Sequence, residues 1–130
     1  MSVPQQKKIL IIDDEPDVVA YLAAFLKDNG FEVITASDAP EGFKKATIEK
    51  PDLITLDITM PKETGIRLLG KLQDDPRTCS LPVIIITGTP GEFEQLCADD
   101  GHGKALVGYF EKPIQRDQLL KRIREILKIA

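Results

Sequence analysis

At 130 residues the chain is the size of one compact domain, long enough to bury a core and too short for two independent ones. Hydrophobic residues make up 42% and charged residues 29%, a balance that excludes a disordered or membrane-embedded chain. The formal net charge of −4 excludes an overall basic field for nucleic acid or an anionic membrane surface, and leaves proteins or small ligands as the expected partners.

Ile9-Leu10-Ile11-Ile12 is a continuous apolar run, as a central parallel strand buried on both faces requires, and Asp13-Asp14 ends it. Lys7 and Lys8 precede it, but so short a run is no export signal. Pro16 opens a helix reaching about Asp28, with Val18, Leu22 and Phe25 on its apolar side and Gly30 just beyond its end. A second strand spans Phe31 to Ala36. Asp38 with Glu41 then forms a capping-box-like start to a helix carrying Ala39, Phe43 and Ala46 on one side. Pro51 precedes a third strand, Leu53 to Leu56, which ends on Asp57; a helix from about Glu63 to Gln73 follows and buries Ile66, Leu69 and Leu72. Pro82 introduces Val83 to Ile86, ending on Thr87. Phe93, Leu96 and Cys97 make the short apolar face of a fourth helix, interrupted by Gly101-His102-Gly103. Ala105 to Phe110 reads as a fifth strand, Lys112-Pro113 follows it, and a final helix runs from about Arg116 to Lys128. The basic residues Lys121, Arg122, Arg124 and Lys128 fall at helical spacing around Leu119, Leu120, Ile123 and Leu127, as a solvated helix face does.

This alternation predicts an α/β fold over residues 1–130, its core about 7–128: a doubly wound, five-stranded parallel sheet with right-handed crossovers and helices on both faces. In such a sheet the carboxyl ends of neighbouring strands meet, and ligands bind there. Those ends carry Asp13 and Asp14, Asp57, Thr87 and, just past the fifth strand, Lys112. Converging carboxylates repel one another unless a hard divalent cation joins them, which predicts a site for Mg2+ or Mn2+. An aspartate carboxylate can itself attack phosphorus. Asp57, on the middle strand of the set, is the candidate, with Lys112 as a point charge and the Thr87 hydroxyl as a directional donor for phosphoryl oxygens. Cys79 and Cys97 stand far apart without ligand spacing, which predicts reduced thiols in a cytoplasm. His102, between two glycines, reads as exposed and incidental.

Each motif alone has a plainer explanation: an acidic pair caps helices, Lys-Pro makes loops, Thr87 suits any strand and Tyr109 any core. Together, the ordered set Asp13-Asp14-Glu15-Pro16, Asp57-Ile58-Thr59-Met60-Pro61 with Gly65, Thr87-Gly88 and Tyr109-Phe110-Glu111-Lys112-Pro113 resembles the response-regulator receiver domains of two-component signalling, over essentially the whole chain. The resemblance implies a flavodoxin-like strand order 2-1-3-4-5 and Asp57 as phosphoacceptor. It makes Asp14 and Asp57 metal ligands with the backbone carbonyl of Thr59, while Asp13 acts largely through a metal-bound water. Thr87 becomes the switch hydroxyl, Tyr109 the switch aromatic and Lys112 the phosphate-binding lysine, with Thr59 and Gly88 flanking the path of the hydrolytic water.

By the same resemblance, a histidine kinase or phosphotransfer protein supplies the phosphoryl group. The domain assists only its own phosphorylation and dephosphorylation, as a monomer or weak dimer, and hands the signal to an output partner or effector domain. Two other readings remain open. A haloacid-dehalogenase-type phosphatase uses similar groups, but its nucleophile lies in an Asp-x-Asp motif after the first strand, where this chain has adjacent Asp13-Asp14. A phosphate-independent, receiver-like adapter would be expected to lose Asp57, an acidic-pair residue or Lys112, and all are retained. One departure concerns output: the spacing from Thr87 to Lys112 is a few residues longer than is usual, and Ala98-Asp99-Asp100-Gly101-His102-Gly103 replaces the familiar end of the fourth helix. No DNA-binding or catalytic output domain accompanies these residues, and the end after the last helix fits either a stand-alone regulator or one domain of a larger protein.

Overall fold

The computed structural model describes residues 6–58, 65–88 and 106–129. In chain order they form β1 (Lys8–Ile12), α1 (Pro16–Asp28), β2 (Glu32–Ala36), α2 (Ala39–Ile48), β3 (Leu53–Asp57), α3 (Gly65–Asp74), β4 (Val83–Thr87), β5 (Leu106–Glu111) and α4 (Arg116–Leu127). The expected helix around Phe93 to Cys97 and the carbonyl of Thr59 lie outside the described residues. The strands pair in the order β2-β1-β3-β4-β5, every neighbour parallel, as expected.

The continuous apolar runs explain why β1, β3 and β4 occupy the middle of the sheet. Alternate residues of a strand point to opposite faces, so a strand covered on both sides needs apolar side chains at every position. Leu10, Ile12, Ile54, Leu56, Val83 and Ile85 pack on one face with Ala46 of α2 and with Leu68, Leu69 and Leu72 of α3. Ile9, Ile11, Leu53, Ile84 and Ile86 pack on the other with Leu22 and Leu26 of α1 and with Leu119 and Ile123 of α4. Each fully buried side chain of this size contributes about 1.5–3 kcal/mol of apolar transfer free energy.

Some local details differ from the sequence expectation. On α1 the fully buried pair is Leu22 and Leu26, and Val18 and Phe25 are only partly buried. An i, i+4 pair lies along one line of a helix, so Phe25 falls to the flank, where its ring receives the Arg116 guanidinium at 5.6 Å. At α2 the Asp38 side chain accepts a hydrogen bond from the Glu41 N–H at 2.8 Å, but the Glu41 carboxylate accepts from the N–H of Ser37, at 2.7 Å, instead of that of Asp38. The capping box is thus shifted by one residue, and it ties the end of β2 to the first turn of α2.

Gly30 follows α1 with φ +91°, a conformation glycine adopts without strain. α4 stops one residue short of the expected end, because Lys128 takes the left-handed conformation (φ 57°) and Ile129 N–H closes back on Arg124 O at 3.0 Å. No described helix is long and apolar enough to cross a membrane.

Candidate functional site

β3, β4 and β5 each run one residue past their apolar runs, and this extension helps to build the site. Asp57 is the last residue of β3 and sits in register with Ile86, while Thr87 ends β4 opposite Glu111. Asp13 continues the β1–β2 ladder by donating its N–H to Ala36 O at 3.1 Å, and Lys112 continues the β4–β5 ladder by donating its N–H to Thr87 O at 2.9 Å. The backbone hydrogen-bond pattern therefore holds four of the expected site residues at one edge. Asp13, Asp57 and Thr87 are buried there, at 3%, 1% and 0% exposure, whereas Asp14 faces solvent.

The start of α3 closes the floor. Gly65 N–H reaches Ile58 O at 3.4 Å, and a Cβ on Gly65 would stand 2.4 Å from Ile58 Cα and 2.8 Å from Asp57 O. Only glycine lets the helix approach the end of β3 this closely.

Among the described residues, Lys112 is the cation of the site. Its Nζ donates to Glu15 Oε1 at 2.6 Å and to Asp57 Oδ2 at 3.1 Å, and lies 3.4 Å from Asp13 Oδ2. Burial opposes its charge, but the hydrogen bond to Glu15 and the carboxylates of Asp13 and Asp57 prevail and raise its pKa. Asp13 moves to about 6: burial is the largest cause and the neighbouring Asp57 charge adds to it, while the Glu15 N–H on Asp13 Oδ1 at 2.9 Å and the Lys112 charge pull the other way. One ammonium is shared among acids that it does not fully neutralise.

Asp13, Asp14, Glu15 and Asp57 each offer a carboxylate oxygen, all within 4.8 Å of one another. Opposite ligands of an octahedral magnesium ion at about 2.1 Å are about 4.2 Å apart, so this hard-oxygen set is of a size that suits such an ion. Of the expected residues, the fold brings together Asp13, Asp14, Asp57 and Lys112, with Thr87 at the same edge. Tyr109 lies within β5 in register with Ile85 of β4. Glu15 joins the cluster although nothing beyond its place after the acidic pair marks it in the sequence; the partner that brings it in is 97 residues away.

The family model described as "Response regulator receiver domain" matches residues 9–124. The chain belongs to that family. It is 38% identical over 127 residues to the alkaline phosphatase synthesis transcriptional regulatory protein PhoP of Bacillus subtilis, covering 94% of this chain and 49% of that protein, so it spans about half of that relative's length. It is 34% identical to protein PilH of Pseudomonas aeruginosa, covering 92% of this chain and 97% of PilH. Among solved structures, the response regulator TrrA of Thermotoga maritima, in complex with Mg(2+)-BeF, matches with a TM-score of 0.78 at 27% identity, over 93% of this chain and 99% of that one. Receiver domains of this family work in phosphorylation-dependent signalling, and the acidic pocket between β1 and β3 fits both the metal and an aspartate that takes a phosphoryl group.

Proposed function

We propose that Asp57 is the phosphoacceptor of this receiver domain, and the observation that carries the proposal is its carboxylate, buried at the end of the middle strand with the Lys112 ammonium at 3.1 Å. A carboxylate oxygen of Asp57 attacks the phosphorus of a phosphohistidine; the P–O bond forms as the P–N bond breaks, and the imidazole takes the electron pair. Lys112 holds charge on one phosphoryl oxygen and the Thr87 hydroxyl donates to another. Asp14 and Asp57 would ligate Mg2+ directly and Asp13 through water, with the Thr59 carbonyl that the family resemblance adds; Mn2+ suits the same oxygen donors. When bound, the ion supplies the positive charge that one lysine among four carboxylates cannot.

The donor is a histidine kinase or phosphotransfer protein in a cytoplasm. The open groove lined by Val18, Tyr21, Pro113 and Ile114 next to Lys112 gives such a protein an approach. Phosphorylation adds roughly 1.5 to 2 negative charges. Thr87 and Lys112 are drawn toward them, Tyr109 follows Thr87, and the surface presented to an output partner or effector domain changes. Hydrolysis of the acyl phosphate, assisted by the domain itself, resets the switch. Intact mass after incubation with acetyl phosphate and magnesium tests the assignment: a phosphate adduct is expected on the wild type and not on Asp57→Asn. An equal adduct on both removes Asp57 from its role. No adduct on either, with acetyl phosphate or a cognate kinase, makes the domain a phosphate-independent adapter.

A further inference from the structure

Glu15 occupies the N-cap position of α1, where a side-chain oxygen ordinarily accepts a hydrogen bond from the first turn of the helix, yet it makes no such bond. Its carboxylate is directed to Lys112 instead, and at 2.6 Å this is the shortest of the three contacts that the ammonium makes with Glu15, Asp57 and Asp13.

The remaining two contacts of Lys112 are with residues that the metal reading needs. A divalent cation among Asp13, Asp14 and Asp57 would approach within a few ångströms of the ammonium, and the two positive charges would compete for Asp13 and Asp57. Lys112 must yield those carboxylates before the cation can take them. Glu15, 57% exposed, lies at the solvent edge of the pocket, whereas Asp13 and Asp57 are buried.

We propose that Glu15 is a positioning residue that acts through Lys112: it draws the ammonium outward, so that Asp13 and Asp57 become available to the cation. The proposal rests on the metal reading given above. It assigns Glu15 the task of holding a competitor aside and not that of a metal ligand, although its carboxylate lies within reach of the same cluster. Without Glu15, Lys112 stays on Asp57 and Asp13 and opposes the metal more strongly. Without Lys112, Glu15 has nothing to draw aside.

Titration of the metal-free domain with magnesium, followed by calorimetry, tests this in a double-mutant cycle of Glu15→Gln with Lys112→Met. Magnesium affinity is expected to fall about threefold to fivefold on Glu15→Gln in the wild-type background, the range of a partly exposed ion pair. In the Lys112→Met background, where affinity starts higher, the same change is expected to cost no more than about 1.5-fold. Lys112→Gln, which keeps a polar tip, is carried in parallel as a second lysine-free background. The melting temperature of Glu15→Gln without metal should fall only slightly, since the residue caps nothing and its side chain, paired with Lys112, is more than half exposed. An equal loss of affinity in both backgrounds would make Glu15 a ligand and overturn the proposal, as would no loss in either. Absence of magnesium binding by the wild type would remove the metal reading itself, a failure distinct from the other two.

Discussion

Asp13 at the carboxyl edge of the sheet and Asp75 just past the end of α3 are the same residue type in two neighbourhoods that move their carboxyls in opposite directions. Asp75 has Arg77 to itself: the guanidinium donates through Nε at 3.0 Å and Nη2 at 2.7 Å, and the Arg77 N–H adds a third bond at 2.8 Å. The side-chain hydrogen bond from Arg77 is the leading cause that lowers this carboxyl to about 2. Asp13 is buried, shares Lys112 with Asp57 and Glu15, and is raised to about 6, first by burial and then by the Asp57 charge. A cation dedicated to one acid makes a closed turn. A cation divided among several leaves a buried site short of positive charge, which is the condition of a place that takes up a metal and handles phosphate.

The largest expected effect comes from altering the floor that holds the buried neighbourhood together. Gly65→Ala places a Cβ against the backbone of Ile58 and Asp57 and should cost about 2–3 kcal/mol in urea unfolding. It should also abolish phosphate adduct formation while leaving the Asp75 turn unaffected. Unchanged stability and an unchanged adduct would show that the approach of α3 to β3 does not shape the site.

Asp13→Asn should have an effect of intermediate size, and a stabilising one. The folded carboxyl, at about 6, binds its proton more tightly than an unfolded one near 3.8. Its contribution to stability is therefore fully present below about pH 4 and lost as pH rises toward 6. In EDTA, the variant should exceed the wild type by about 1–2 kcal/mol at pH 7, less than the full shift allows because Lys112 loses a partner, and the gain should shrink toward pH 4. A gain of the same size at both pH values, or a loss at pH 7, would break the comparison.

Asp75→Asn should give the smallest effect, with the opposite sign. Its lowered carboxyl contributes stability above about pH 4 that disappears as pH falls through 2, so the variant should melt slightly below the wild type at neutral pH and converge with it in strong acid. A difference that persisted undiminished near pH 2 would mean that the charge pair with Arg77 is not its source.

Much of this architecture was legible because it rests on local patterns. Continuous runs such as Ile9 to Ile12 and Val83 to Ile86 can be covered only inside a parallel sheet, and the five alternations of strand and helix placed Asp13, Asp57, Thr87 and Lys112 at a common edge. α1 was expected over the span it occupies, because Pro16 and Gly30 punctuate it. Less legible were contacts that depend on how elements pack. Leu26, and not Val18 or Phe25, is buried beside Leu22 on α1, and Leu68 joined the buried set of α3, because small rotations of a helix against the sheet decide which positions point inward. The need for glycine at Gly65 could be stated physically only once α3 and the end of β3 were seen in contact.

The sequence by itself determined the fold class, the strand that carries Asp57 and the residue types gathered around it, since hydrophobic period and turn chemistry act over a few residues at a time. Only the tertiary structure decided how Lys112 is shared. Three contacts at 2.6, 3.1 and 3.4 Å bring the turn after β1, the end of β3 and the residue after β5 onto one ammonium. Charge interactions depend on distance through space and on burial, and a linear chain records neither.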